Sequence, residues 1–124
     1  MKIQESAENY LECILMLQQQ QGQVRSIDIV NRMGFSKPSI SIAMKQLREG
    51  NYIDMDENNL ITLTEAGREI AERIFERHQT LANMLIRLGV GEETAFEDAC
   101  KLEHDLSEES FMAIKNLYLK HIAD

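Results

Sequence analysis

The chain is poor in the residues that punctuate or staple a fold. Of its 124 residues one is proline, Pro38, and two are cysteines, Cys13 and Cys100. Two thiols make no disulfide framework, so the expectation is a reduced, cytoplasmic protein in which Cys13 is an ordinary helix residue. No apolar stretch is long enough to cross a bilayer. The opening Met1-Lys-Ile-Gln-Glu-Ser6 lacks the apolar core of a signal peptide. A membrane is therefore not among the expected partners. Repeats, low-complexity tracts and proline-rich linkers are absent, which leaves one compact unit or a small domain with a helical extension. A glycine-rich phosphate loop, a nucleophile elbow and an HExxH pair are also missing, so an enzyme is not expected.

Positive charge is scarce overall and gathered in one place. Lys and Arg number 13 against 21 Asp and Glu, for a formal net charge of −8. Between Arg25 and Gly50, however, five basic residues (Arg25, Arg32, Lys37, Lys45, Arg48) meet only two acidic ones (Asp28, Glu49). A basic patch on an acidic body is the charge layout of a regulator that touches nucleic acid with one part and does something else with the rest.

Helical periodicity dominates, so the expected fold is mostly α. Ser6 can cap a first helix with the stripe Ala7, Leu11, Ile14 and Leu15, ending near Gln18–Gly22. Ser26 opens a short helix that Gly34 stops, and Ser36 opens another, Lys37 to Glu49, that Gly50 closes. Pro38 is tolerated in that first turn, where its missing N–H leaves no bond unmade. Two short helices around the tight turn Gly34-Phe-Ser36 read as helix-turn-helix, with Ile27, Val30 and Met33 packing on Ile40, Met44 and Leu47. Tyr52–Met55 and Leu60–Leu63, flanking Asp56–Asn59, read as a hairpin, which makes the motif a winged helix. Thr64 then opens a helix with Ile70, Ile74, Phe75, Leu81, Leu85 and Leu88 on its apolar side. Gly89 ends it. At about 40 Å it is long for so small a protein and suggests a dimer spine. Two further helices are expected, from about Glu93 to His104 and from Ser107 to about His121. The division follows as residues 1–72, a winged helix-turn-helix, and residues 73–124, a helical dimerisation and metal-binding region.

The second helix of the motif has the composition of a reading head. Small hydroxyls and cations at its N-terminal end suit base edges and phosphates in the major groove of double-stranded DNA. Ser36, Lys37, Ser39, Ser41 and Lys45 supply these, Pro38 and the serine carbons offer apolar contact to a thymine methyl, and Lys45 and Arg25 suit phosphates. A helical hairpin that only packs against protein is the competing interpretation.

Chemistry concentrates near residue 100. Cys100, Glu103 and His104 stand three and four apart, which puts them on one face of a helix. Thiolate, carboxylate and imidazole form much of a ligand set for a divalent transition metal. A buried cysteine beside an exposed Glu-His pair is the bland alternative. His78 falls in the apolar side of the long helix, where a histidine can also be simply a satisfied core residue. On the first helix Asn9 and Glu12 share a face flanking the apolar stripe, and solvent is the plain reading for both. His121 is expected to be exposed.

Several ordered stretches resemble one family. They are Ser6-Ala-Glu-Asn-Tyr-Leu-Glu-Cys-Ile-Leu15, Val24-Arg-Ser-Ile-Asp-Ile29, Ser36-Lys-Pro-Ser-Ile-Ser41, Leu63-Thr-Glu-Ala-Gly67, Arg77-His78 and Ala99-Cys-Lys-Leu-Glu-His-Asp-Leu-Ser107. Together they are similar to the diphtheria-toxin-repressor family, which includes the manganese transport regulators. The resemblance implies a homodimeric repressor of metal uptake genes that binds a palindromic operator when loaded with Mn(II) or Fe(II). It implies metal ligands at Asn9, Glu12, His78, Cys100, Glu103 and His104. It also implies a chain that ends with the manganese-type members, without the SH3-like domain of the longer iron-type ones.

The match is not complete. Manganese-type members usually carry Asp where Asn9 stands, and iron-type members often carry Met. At Cys100 manganese-type members can place Glu, whereas iron-type members place Cys. The site is a hybrid, and the His and Glu of the iron-type ancillary site have no counterpart near Phe96 and Ala82. The implied mechanism is that a cation neutralises the carboxylates and thiolate and orders two recognition helices about 34 Å apart. A winged-helix regulator that answers to a non-metal ligand, with His78, Cys100 and His104 incidental, is the alternative.

Overall fold

A computed structural model describes residues 5–122. They form α1 (Glu5–Gln21), α2 (Ser26–Met33), α3 (Lys37–Glu49), β1 (Ile53–Met55), β2 (Ile61–Leu63), α4 (Glu65–Arg87), α5 (Glu92–Leu102) and α6 (Glu108–Ile122). The class is the expected one, a winged helix-turn-helix followed by helices. The chain divides into two compact units, Met1–Arg73 and Ile74–Asp124, and the division falls inside α4. Among the described residues no helix is long and apolar enough to cross a membrane.

The first unit is built around α1, which buries Leu11, Ile14, Leu15 and Leu17. Ser6 lies inside this helix and is exposed, so it is not the cap that the sequence suggests. The start of α2 also shifts by one residue. Arg25 holds the cap position with extended backbone, and its N–H donates to Asp28 Oδ2 at 2.9 Å. The buried face of α2 differs from expectation too. Ile29 is fully buried, whereas Ile27 is 43% exposed. In so short a helix Ile27-Val30-Met33 and Ile29-Val30-Met33 are both plausible stripes, and packing selects the second.

Helix α3 follows its sequence signals closely. Ser36 caps it, with Oγ accepting the Ser39 N–H at 3.3 Å, and Pro38 sits in the first turn. Ile40, Met44 and Leu47 are buried as expected. Gly34, which ends α2, takes the left-handed conformation (φ 77), favoured by its lack of a Cβ. At the other end of α3 the left-handed residue is Asn51 (φ 67), while Gly50 stays right-handed. Asn is the side-chain-bearing residue that tolerates this region best.

The wing is short. Ile53 pairs with Leu63, Asp54 with Thr62 and Met55 with Ile61. Its turn is held by Asp56, whose Oδ1 accepts the N–H groups of Asn58 (2.8 Å) and Leu60 (2.9 Å), with Asn59 left-handed. The Ile61 N–H donates to Val24 O at 2.7 Å, fixing the wing to the segment before α2. Thr64 caps α4. Its Oγ1 accepts the Gly67 N–H at 3.1 Å and donates to Asn51 O at 2.7 Å. Helix α4 has 23 residues, about 34 Å, somewhat less than the sequence suggests.

In the second unit Leu81 and Ala82 of α4 pack with Ala99 of α5, and Phe96, Leu106 and Ile114 close around them. Ser107 caps α6 as expected, its Oγ accepting the Ser110 N–H at 3.0 Å. Phe111 is buried, whereas Leu88, Leu102, Leu117 and Leu119 are exposed.

One glycine in α4 is fixed by space. A Cβ on Gly67 would collide with the backbone carbonyl of Tyr52. Gly67→Ala is therefore expected to lower the first unit's stability by about 1–3 kcal/mol through overpacking. Gly91→Ala, which meets nothing within 4 Å, is the control. Urea unfolding followed by circular dichroism checks both.

Candidate metal centre and nucleic-acid interface

The first candidate site centres on a carboxylate that the fold withdraws from water. Glu103 follows the last turn of α5 and is fully buried. The sequence places Cys100, Glu103 and His104 together on a helix face, but α5 stops at Leu102, so Glu103 and His104 lie in the turn after it. The bland alternative of a buried cysteine beside an exposed Glu-His pair is inverted. Cys100 is exposed, whereas the side chains of Glu103 and His104 are 0% and 3% exposed.

Each oxygen of Glu103 meets an imidazole. His78 Nδ1 lies 2.9 Å from Oε2, and His104 Nε2 lies 3.2 Å from Oε1. The carboxylate only accepts, so the His78 Nδ1–H donates to Oε2, whereas Oε1 meets His104 as a close polar contact without an aligned hydrogen bond. Burial alone would raise the Glu103 carboxyl, but the polar contacts and charge of His104 and His78 outweigh it. They hold the group below its ordinary value of 4.5. Ligand atoms of His78, Cys100 and Glu103 all lie within 4.8 Å of one another. One nitrogen, one sulfur and one oxygen donor at that separation suit a divalent transition metal, and a buried anion needs such a counter-charge. His78 packs its ring at 5.4 Å from that of Phe96, which limits its rotation.

Three of the six candidate ligands, His78, Cys100 and Glu103, thus cluster in the second unit, and His104 joins them only through its contact with Glu103. Asn9 and Glu12 belong to α1 in the first unit. Glu12 is buried and Asn9 half-buried, so the solvent-face reading of this pair is corrected. Cys13 is buried beside them, and burial pushes its thiol up to about 11, Arg32 lowering it and Glu12 raising it by smaller amounts. His121 is exposed, as expected.

Arg77 stands in the sequence only as part of the Arg77-His78 stretch, with no role of its own. It is buried, and its Nη1 donates to the carbonyls of Glu103 (3.1 Å) and Leu106 (2.8 Å). Nη2 pairs with Glu108 at 2.8 Å, and the guanidinium lies 5.1 Å from the Phe111 ring centre. It fastens the turn that carries Glu103 and His104. Its partners lie 26 to 31 residues further along the chain, a distance at which no local pattern signals them.

The second candidate site is the outer face of α3. Arg25, Ser36, Lys37, Pro38, Ser39, Ser41 and Lys45 are all exposed. Ser36 and Ser39 bond to each other, Oγ to Oγ at 2.9 Å. Beside them a cleft of about 190 Å³ is lined by Ser26, Ser41, Met44, Lys45, Arg48 and Met55. Arg48 and Ser26 are additions to the residues selected from sequence.

Two protein-family models match the chain. One, described as the iron dependent repressor N-terminal DNA binding domain, covers residues 2–59. The other, described as the iron dependent repressor metal binding and dimerisation domain, covers residues 64–122. The transcriptional regulator MntR of Escherichia coli O6:H1 is 35% identical over 117 residues, 94% of this chain and 76% of that one. The HTH-type transcriptional regulator MntR of Bacillus subtilis is 31% identical over 112 residues, 90% of this chain and 79% of that one. A solved manganese-dependent transcriptional repressor in complex with manganese aligns with a TM-score of 0.82 and 28% identity. The match covers 90% of this chain and 52% of the solved one, so this chain spans about half the length of that structure.

The depressed Glu103 carboxyl gives a signed pH dependence. The unfolded chain takes up the proton first on acidification, so the stabilisation is complete above pH 4.5 and is lost as pH falls through the lower folded value. Metal-free Glu103→Gln is expected to lose roughly 1–3 kcal/mol at neutral pH and to show a flatter loss of stability below about pH 4.5. Urea titrations across that range measure both.

Proposed function

Because the chain belongs to the iron-dependent repressor family, a family of metal-dependent DNA-binding transcriptional regulators, we propose that it represses transcription when loaded with Mn(II) or Fe(II). The observation that carries this reading is the convergence of His78, Cys100 and Glu103 within 4.8 Å around a buried carboxylate. His78, Cys100, Glu103 and His104 hold the ion, and the resemblance adds Asn9 and Glu12 of α1. Residues 73–124 sense metal and dimerise, residues 1–72 bind a palindromic operator in the cytoplasm, and no catalytic step is involved. The manganese in the solved relative favours Mn(II) for this chain. The Cys100 sulfur, a softer donor, keeps Fe(II) as the second reading.

A bound cation supplies positive charge and fixed coordination directions to the buried anion. The chain's residues do the rest. Glu103, His78, Cys100 and His104 would hold the cation, which would supply the positive charge that the buried carboxylate calls for. Arg77 holds the Glu103 and Leu106 carbonyls in place. On the DNA side, Lys45 and Arg25 suit phosphates, and the first turn of α3 suits base edges. Exposed Leu117 and Leu119 of α6 suit the face between two copies.

Two measurements test this. In a gel-shift assay with duplex selected from a random library, Mn(II) is expected to tighten binding about 5- to 150-fold. Glu103→Ala should abolish that gain. Binding indifferent to every divalent ion would favour the non-metal alternative. In peptide-mapped iodoacetamide labelling at pH 8, exposed Cys100 should react quickly without metal and slowly with it. Cys13, buried with its thiol at about 11, should stay slow in both and serves as the internal reference.

A further inference from the structure

The recognition face of α3 contains one residue of the wrong polarity. Ile42 is 61% exposed, although Ile40, Met44 and Leu47 of the same helix are almost fully buried. Two residues along a helix is a rotation of about 200°, so Ile42 points away from both Ile40 and Met44. Its neighbours one turn away, Pro38, Ser39 and Lys45, are all exposed, as is Ser41 beside it. Lys37, Lys45 and Arg48 put cations along the same helix. An apolar β-branched side chain thus stands in the middle of a hydroxyl-rich, basic surface. The complementary ligand has an apolar spot set between rows of negative charge. In the major groove of DNA that description fits the 5-methyl group of thymine, flanked by backbone phosphates.

We infer that Ile42 reads thymine, packing its side chain on a thymine methyl in each half-site and so setting part of the sequence preference. This rests on the DNA-binding reading above and deepens it. Ser41 and Lys45 on the neighbouring cleft position the helix through the backbone, and Ile42 discriminates T·A from C·G, which presents no methyl at that edge.

Replacing thymine by uracil removes only the methyl and leaves pairing and phosphates intact. The full chain with Mn(II) first selects duplexes from a random library. Each thymine is then replaced singly by uracil, and binding is followed by fluorescence anisotropy. Burial of one methyl is worth about fourfold in affinity. At one thymine per half-site wild type should lose about that factor, and Ile42→Ala should bind the thymine and uracil duplexes equally. The salt dependence of Ile42→Ala should match wild type, whereas Lys45→Ala should lower the slope by about one. The inference is overturned if uracil at every position leaves wild type unchanged, or if Ile42→Ala keeps the sensitivity to uracil. Loss of dimers in Ile42→Ala with no response to uracil would instead show that a second copy covers this residue. If no duplex is selected at all, the DNA-binding reading fails and takes this one with it.

Discussion

A carboxylate held at zero exposure between two imidazoles is the constraint from which the second unit is organised. An ionised group away from water is tolerated only with nearby positive charge and well-placed donors. Glu103 accepts a hydrogen bond from His78 on one oxygen and has the His104 ring 3.2 Å from the other. A thiol within 4.8 Å tips the chemistry toward transition metals and away from harder ions.

The acidic balance of the chain looks at first like an obstacle to contact with nucleic acid. The fold resolves it by segregation. Cations cluster along α3 and at Arg25, while the carboxylates that matter chemically are drawn inward at Glu12 and Glu103. Part of the basic complement is also used within the unit itself, since Arg32 bonds Gln20 at 2.8 Å and Arg73 pairs with Glu8 at 3.0 Å. What remains on the α3 face is a small, directed patch, which suits orientation on a duplex better than indiscriminate attraction.

Much of the architecture is legible in local signals. Ser36 and Ser107 cap helices where their hydroxyls imply, and Gly34 turns left-handed where a helix must stop. Patterns fail where two solutions share one spacing. Ile27 and Ile29 compete for the inner face of an eight-residue helix, and only tertiary packing decides. Ser6 has capping chemistry but sits within α1. At the candidate site, local spacing draws attention to the residues but does not give their burial. Helical spacing places Cys100, Glu103 and His104 on one face, yet the helix ends between the first and the others, so Cys100 is exposed while its sulfur still lies within 4.8 Å of the buried carboxylate. Arg77 lies beyond any spacing rule, because its role is defined by carbonyls far along the chain.

The two terminal amines of that guanidinium are committed in two directions, while its buried Nε has no hydrogen-bond partner among the described residues. One amine grips the carbonyls of the turn bearing Glu103, the other grips Glu108, and the plane rests over Phe111. Arginine's rigid planar fork cannot follow one set of partners without pulling on the other. The turn that carries the buried anion and the start of α6, the helix with the exposed leucines, are therefore tied to each other through a single side chain.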